Sequence, residues 1–194
     1  MTETSDSGRC RDLQAMNRFQ AIEHYLWPTG PSRDVWMIVD CARDQKRIFR
    51  FLLSSHLEQS CLYSGPLAPA MEMAAPYLLQ LEPENEETRR LIELSWGNSW
   101  GIFLRSSTNL VKLRKHLRNF LIVQNSSGGR MVFRYYDPRI LRVYLPTCTS
   151  EELRTVFGPV EFFWTENPTG QDRMLEFQYS AGKLISNDRL LESS

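Results

Sequence analysis

Apolar residues recur at helical spacing near the start of the chain. A helix is predicted for residues 12–27, where one face carries Ala15, Phe19, Ile22 and Leu26. A Pro-Thr-Gly-Pro turn that begins at Pro28 ends this helix. The preceding residues 1–11 are rich in Ser, Thr and Asp, and we expect them to be disordered.

A continuous apolar run then replaces the helical spacing. Residues 35–39 read Val-Trp-Met-Ile-Val, which is typical of a strand buried on both faces. A helix is predicted for residues 44–57 and a short strand for residues 60–63. Strand, helix and strand together predict a right-handed β-α-β unit with parallel strands.

Short helices and strands alternate through the rest of the chain. Further helices are predicted at residues 70–74, 85–94, 137–145 and 149–157, together with one that Ser106 or Ser107 caps and that continues to Asn119. Further strands are predicted at residues 77–81, 100–104, 121–123, 131–135, 162–165 and 175–179. This order indicates an α/β fold with a mixed β-sheet, flanking helices, a β-α-β start and later hairpins.

Four segments follow from this pattern. Residues 1–11 form the disordered N-terminus, and residues 12–33 form a helix and linker. Residues 34–160 form the main domain. Residues 161–194 form a C-terminal hairpin and a polar tail.

Overall charge and hydropathy indicate neither a nucleic-acid nor a membrane partner. The 194 residues carry 23 Lys and Arg against 23 Asp and Glu, so the formal net charge is zero. The N-terminus lacks an apolar signal core, and no apolar run approaches the roughly 18 residues of a membrane span. We therefore expect a cytoplasmic protein.

The cysteines and histidines do not form ligand motifs. Cys10, Cys41, Cys61 and Cys148 are widely spaced and form no C-x-x-C pair. We expect all four to be reduced, and we expect no metal or cofactor. The three histidines, His24, His56 and His116, fall in separate predicted helices.

Positive charge is concentrated in the middle of the chain. Residues 94–136 contain no Asp or Glu and seven cations, which are Arg105, Lys112, Arg114, Lys115, Arg118, Arg130 and Arg134. The segments on either side are net negative. Such segregation can steer a partner of opposite charge, although a solvated helix face would also explain the cations of residues 112–118.

Two acidic residues follow the first strand, where α/β proteins often bind ligands. Asp40 and Asp44 could serve catalysis or a metal ion. Alternatively, Asp44 caps the next helix while Asp40 pairs with Arg43 or another arginine. The chain has no phosphate-binding glycine loop and no G-x-S-x-G nucleophile motif.

The densest cluster of candidate side chains is the junction segment, residues 133–139, which reads Phe-Arg-Tyr-Tyr-Asp-Pro-Arg. Arg and Tyr are the side chains that most often anchor protein interfaces. We expect Arg105, Arg134, Tyr136 and Arg139 to form part of a partner surface, with Asp137 holding the junction in shape. The alternative is that Arg134 or Arg139 pairs internally with Asp137 or Asp40.

Several short motifs together resemble one known family. They stand in order at residues 40–44, 61–65, 74–78, 100–106, 113–118, 133–139, 145–148 and 157–159. This set is similar to the type VI secretion effector adaptors, also called Tap proteins. Within these motifs, the candidate partner-binding set is completed by Asp40, Arg43, Asp44, Tyr63 and Trp100.

The resemblance implies a cytoplasmic, non-catalytic adaptor. Such proteins hold a secreted toxin effector and help load it onto the spike tip protein, the valine-glycine repeat protein. Many relatives have a longer C-terminal region, so one partner surface is expected to be reduced here. Two alternatives stay open at this point: a small enzyme that uses Asp40 and Asp44, and an immunity protein that neutralises a toxin by binding it.

Overall fold

The structure is a computed structural model that describes residues 18–28, 30, 34–124 and 127–191. The predicted disorder of residues 1–11 and the beginning of the first predicted helix lie outside these residues. Residues 18–26 are helical and are named α1, in agreement with the apolar spacing of this segment.

The described residues contain six further helices and nine strands. The helices are α2 (Gln45–Ser54), α3 (Pro69–Glu72), α4 (Glu86–Ser95), α5 (Leu110–Arg118), α6 (Pro138–Tyr144) and α7 (Ser150–Phe157). The strands are β1 (Val35–Asp40), β2 (Gln59–Cys61), β3 (Pro76–Gln80), β4 (Gly101–Arg105), β5 (Ile122–Gln124), β6 (Arg130–Val132), β7 (Phe162–Asn167), β8 (Gly170–Ser180) and β9 (Lys183–Leu190). Two short 3-10 turns, Cys41–Arg43 and Leu145–Thr147, follow β1 and α6.

Seven strands form the main sheet in the order β2-β3-β1-β4-β7-β8-β9, and β5 and β6 form a separate hairpin. The α/β class, the flanking helices and the later hairpins are confirmed. Strand direction differs from the sequence prediction, because all neighbouring pairs are antiparallel. Strand β3 lies between β1 and β2, so β2 runs parallel to β1 without pairing with it.

The burial of the β2 and β3 residues agrees with this strand order. Leu78 and Leu79 of β3 are both fully buried, which suits a strand with neighbours on both sides. Strand β2 has only three residues, all of them half-buried, and lies at the edge of the sheet. A short edge strand exposes few unpaired main-chain groups.

Strand β1 passes through the centre of the molecule and packs on both faces. Val35, Met37 and Val39 belong to the hydrophobic cluster on one side of the sheet, which also contains residues of α1, α2 and α4 and which we call the first face. Trp36 and Ile38 belong to the cluster on the other side, the second face, with residues of α5, α6 and α7. All six β1 residues are buried, as the continuous apolar run predicts. Each large aliphatic side chain buried in this way contributes roughly 1.5–3 kcal/mol.

Polar side chains at the helix starts follow the expected capping chemistry. Asp44, Asn85 and Asp137 accept main-chain N–H bonds at the first turns of α2, α4 and α6. Thr149 and Glu152 form a capping box at the start of α7. The cap of α5 is Asn109, because Ser106 instead donates to the carbonyl of Pro159 at 2.8 Å.

The last three strands extend the sheet beyond β4. Strand β7 pairs with β4, and β8 pairs with both β7 and β9. Strand β9 occupies residues for which the sequence predicts a polar tail. It is the outer edge strand, and most of its residues are exposed. An edge strand of this kind needs no continuous apolar run, which is why the sequence pattern did not predict it.

Candidate partner-binding site

A buried carboxylate at the end of β1 organises the junction segment. Asp40 is fully buried, and its Oδ1 accepts the main-chain N–H of Ala42 at 3.1 Å. The guanidinium of Arg134 donates to its other oxygen, Oδ2. Burial raises the pKa of Asp40, while the hydrogen bond and charge of Arg134 act in the opposite direction. The pairing of Asp40 with an arginine, one of the two alternatives, is therefore present.

A second acid–arginine pair lies at the start of α6. Asp137 is buried and caps the helix through a 3.0 Å bond from the main-chain N–H of Arg139. The Arg139 side chain donates to both carboxylate oxygens of Asp137, from Nε at 2.9 Å and from Nη2 at 2.6 Å. Burial raises the pKa of Asp137, but these bonds outweigh it and the pKa is lowered overall. The two arginines of the junction segment thus form ion pairs within the protein, Arg134 with Asp40 of β1 and Arg139 with Asp137.

The aromatic residues of the junction segment face the interior. Tyr136 is 1% exposed, and its ring makes an edge contact with Tyr135 at 5.6 Å between centroids. Tyr135 donates from its hydroxyl to the carbonyl of Leu117 at 2.8 Å. Burial raises the pKa of both tyrosines above its ordinary value. Tyr136 is placed as a core residue and does not contribute to the accessible surface.

The two arginines of the junction segment remain partly accessible. The side chain of Arg139 is 51% exposed and that of Arg134 is 37% exposed. Arg43 is exposed in the turn after β1, and Asp44 caps α2 through a 3.2 Å bond from the N–H of Arg47. Asp40 and Asp44 are therefore engaged by separate partners.

Arg105 lies apart from this cluster. It pairs with Val35 in the β1–β4 register, at the opposite end of β1 from Asp40. Five residues of strand separate the two ends, which is about 17 Å. The Arg105 guanidinium donates to the carbonyl of Leu26 and lies 3.6 Å from a carboxylate oxygen of Asp34. Arg105 therefore joins the end of α1 to the sheet.

Trp100 and Tyr63, the remaining two candidate residues, pack against opposite faces of the sheet. Trp100 is buried before β4 and accepts the main-chain N–H of Asp40 at 2.7 Å. The guanidinium carbon of Arg47 lies over its ring, 5.4 Å from the centroid. Tyr63 packs against the second face and lies beside Tyr136. The structure thus brings Tyr63 to the junction segment and places Trp100 in the core of the first face.

An accessible groove lies beside these residues, between the β5–β6 hairpin and residues 62–71; we call it the hairpin groove. Its volume is about 350 Å³. Leu62 and Leu121 form its buried floor. Its walls carry three apolar side chains with large exposed fractions, which are Met71 at 54%, Ile122 at 43% and Val132 at 45%.

Basic residues frame the hairpin groove. Arg118 and Arg130 line it, and none of the described lining residues is acidic. Arg114 supports one wall, because it donates to the carbonyl of Cys61 at 2.6 Å and to that of Tyr63 at 2.8 Å. The central basic segment is thus divided between structural arginines and arginines at the groove.

Sequence reasoning did not identify this groove. Ile122 and Val132 stand opposite each other in the β5–β6 register and were assigned only to a hairpin. The sequence did contain one signal, a hairpin with apolar residues inside a segment that contains no acid. To recognise a groove from that signal, one must also know that the hairpin stays outside the main sheet, which leaves its apolar side chains exposed.

Three further questions about the described part of the chain concern metal-ligand groups, membrane-spanning helices and disulfides. No three His, Cys, Asp or Glu side chains among those residues are grouped to hold a metal ion. No helix in the same ranges has the length and apolar character of a bilayer-spanning segment. Cys41, Cys61 and Cys148 are free thiols, and Cys10 lies outside the described residues.

Comparison with known proteins gives one match. No curated protein and no solved structure matches the chain. The family model named "Domain of unknown function (DUF4123)" matches residues 35–155, a range that contains β1 to β6 and includes the junction segment and the hairpin groove. This domain is known in type VI secretion effector adaptor proteins. Because the match covers more than half of the 194 residues, the chain belongs to the DUF4123 family.

Proposed function

We propose that this protein is a non-catalytic adaptor that binds a toxin effector of a type VI secretion system and helps load it onto the spike tip protein. The observation that carries the proposal is the DUF4123 match over residues 35–155, since this domain is associated with such adaptors. The ordered motifs of the sequence from residues 40–44 to 145–148 fall inside that range, and the last one, residues 157–159, lies just beyond it.

The accessible surface supports a binding role. The hairpin groove combines exposed apolar side chains with two arginines, a composition that suits protein recognition. The partly exposed Arg134 and Arg139 add hydrogen-bond donors nearby, at the start of α6. These features provide an interface without requiring any reaction.

The placement of the acidic pair supports a role without catalysis. Asp40 is fully buried and is already bonded to Arg134 and to the N–H of Ala42. Asp44 is used as a helix cap and pairs with Arg47 at 3.6 Å. A general base needs an accessible oxygen within hydrogen-bond reach of its substrate, which the buried Asp40 does not offer, while Asp44 already serves the start of α2.

Binding of both proposed partners tests the function directly. The purified protein is titrated by calorimetry with a type VI effector and with a spike tip protein from the same genome. We expect a complex with each, and we expect the spike protein to retain the effector only when the adaptor is present. Absence of binding to both at micromolar concentrations would overturn the proposal.

An activity assay tests the competing enzyme hypothesis. Hydrolase and transferase substrates are assayed with the wild-type protein and with Asp44→Asn. Asp44 is a suitable position because it lies at the surface end of a helix, so its substitution leaves the core intact. Turnover that Asp44→Asn abolishes at an unchanged melting temperature would show an enzyme, and the adaptor proposal would be wrong.

A further inference from the structure

The hairpin groove has an unusual concentration of exposed apolar side chains. Met71, Ile122 and Val132 are each more than 40% exposed and face one concavity. The floor below them, Leu62 and Leu121, belongs to the hydrophobic core of the second face. Apolar side chains that enter the groove would therefore extend an existing core, which favours a bound segment over bulk water.

Hydrogen bonds tie both walls of the groove to α5 and to the turn that follows it. Arg114 binds the carbonyls on both sides of Leu62, at 2.6 Å for Cys61 and 2.8 Å for Tyr63. On the hairpin side, the N–H of Phe133 donates to the carbonyl of Leu121 at 2.9 Å. Both walls are thus tied to the same helix and its following turn, so little ordering is needed when a partner binds.

The charge of the groove selects its occupant. Arg118 and Arg130 line it without an acidic neighbour among the described lining residues. Both belong to the segment 94–136, which has seven cations and no acid. A partner with carboxylates beside its apolar residues would neutralise these arginines and would approach faster along the positive field.

We infer that the hairpin groove binds an acidic, amphipathic segment of the effector. This inference rests on the proposed adaptor function and names the surface that holds the cargo. Apolar side chains of the segment contact Leu62, Leu121 and Val132, while its carboxylates pair with Arg118 and Arg130. A volume of about 350 Å³ accommodates side chains of a short segment and not the face of a folded domain.

Two groove variants with matched controls test the inference. Val132→Glu places a negative charge on an apolar wall, and Arg130→Glu reverses a groove charge. Leu53→Glu and Arg50→Glu make the same changes on α2, which packs on the first face of the sheet. Leu53 is 75% exposed and Arg50 is also exposed, so neither control disturbs the core.

Affinity for the purified effector is measured by calorimetry, with melting temperatures recorded for each variant. We expect Val132→Glu and Arg130→Glu each to weaken binding by about tenfold or more, while the two controls bind as the wild type does. Wild-type affinity should fall as salt is raised, and Arg130→Glu should reduce that salt dependence. Among overlapping peptides that span the effector, the one that binds should be acidic and amphipathic.

The outcomes separate this inference from the function on which it rests. If the wild type binds the effector and both groove variants bind equally well at unchanged melting temperature, the groove assignment is wrong and the adaptor function stands. If the groove variants lose the spike protein and keep the effector, the assignment of the occupant is wrong. If the wild type binds neither protein, the proposed function fails first.

Discussion

The guanidinium of Arg134 donates to the carboxylate of Asp40, a residue 94 positions earlier in the chain. This bond joins the end of the central strand β1 to the junction segment before α6. Asp40 is fully buried, whereas the Arg134 side chain is 37% exposed. Asp40 therefore lies in the core, and its partner Arg134 reaches the surface.

Removal of Arg134 should destabilise the protein. Arg134→Ala leaves the Asp40 carboxylate buried with one main-chain donor, and we expect a loss of about 2–4 kcal/mol in the free energy of unfolding. Urea denaturation measures this loss, and Arg50→Ala on α2 is the control, with an expected change within about 0.5 kcal/mol. Equal stability of the two variants, with partner affinity lost only in Arg134→Ala, would instead assign Arg134 to the interface.

Glu87 should make stability sensitive to acid. The hydrogen bond from His56, opposed by burial and assisted by Ser55, lowers the pKa of Glu87 from 4.5 to about 2. A carboxylate with a lowered folded-state pKa stabilises the protein above its unfolded pKa, and this contribution is lost as pH falls through the folded value. The stability difference between wild type and Glu87→Gln should thus be at its full size just above pH 4.5 and shrink as the pH falls toward 2.

Urea denaturation at a series of pH values measures that difference. Glu86→Gln is the control, because it removes the same charge from the same first turn of α4. Subtracting its effect leaves the contribution of the contacts with His56 and Ser55. A difference for Glu87→Gln that does not change with pH would contradict the prediction.

Gly158 should not tolerate a side chain. It ends α7 with a φ of +47°, and a Cβ there would lie 2.3 Å from Cε1 of His116. The His116 ring is fixed by a 2.9 Å hydrogen bond to the carbonyl of Val156, so it cannot move away freely. We expect Gly158→Ala to lower the free energy of unfolding by about 2–4 kcal/mol, through backbone strain and overpacking together.

A substitution at Gly128 distinguishes backbone strain from overpacking. It also has a positive φ, +78°, but a Cβ there would meet nothing within 4 Å. Gly128→Ala therefore reports backbone strain alone, and we expect about 1 kcal/mol. Thermal unfolding of both variants makes the comparison, and equal effects at the two positions would show that the His116 contact is unimportant.

The described cysteines should differ in reactivity. Burial, with added repulsion from Asp40 and Cys61, raises the pKa of the Cys41 thiol to about 12. Cys148 is half-buried, and its Sγ donates to the carbonyl of Tyr144 at 3.4 Å. In a Cys10→Ser background, alkylation of the native protein should modify Cys148 well before Cys41. Peptide mass mapping measures the order, and rapid modification of Cys41 would show that the end of β1 opens.

Local structure could be predicted because its causes are local. The five apolar residues 35–39 are enough to indicate a central strand, and Thr149 with Glu152 is enough to indicate a capped helix. The cap of α5 was predicted wrongly at Ser106 or Ser107, and the residue that caps it is Asn109. Ser106 instead donates to the carbonyl of Pro159, a contact that spans 53 positions and that no local window contains.

Long-range arrangement could not be predicted in the same way. The insertion of β3 between β1 and β2 depends on the relative burial of three strands, and no single window of sequence contains that comparison. In the candidate site, the sequence named Arg134 and Arg139 as possible partners of Asp40 and Asp137, but it did not decide which pairs form. The hairpin groove depends on residues from 62 to 132 that meet only after α5 has packed on the sheet.

The β4–β7 pairing has a consequence for dissecting the protein. The family match ends at residue 155, before β7, so a fragment cut there would leave β4 as an open strand edge. Phe103 and Leu104 would lose their neighbours Trp164 and Phe163, and apolar surface would be uncovered beside unpaired main-chain groups. Such an edge recruits other chains, so we expect residues 35–155 alone to aggregate in light scattering, whereas residues 18–191 should stay monodisperse. We therefore expect the family's shared segment, although recognisable as a sequence unit, to need β7–β9 in order to fold.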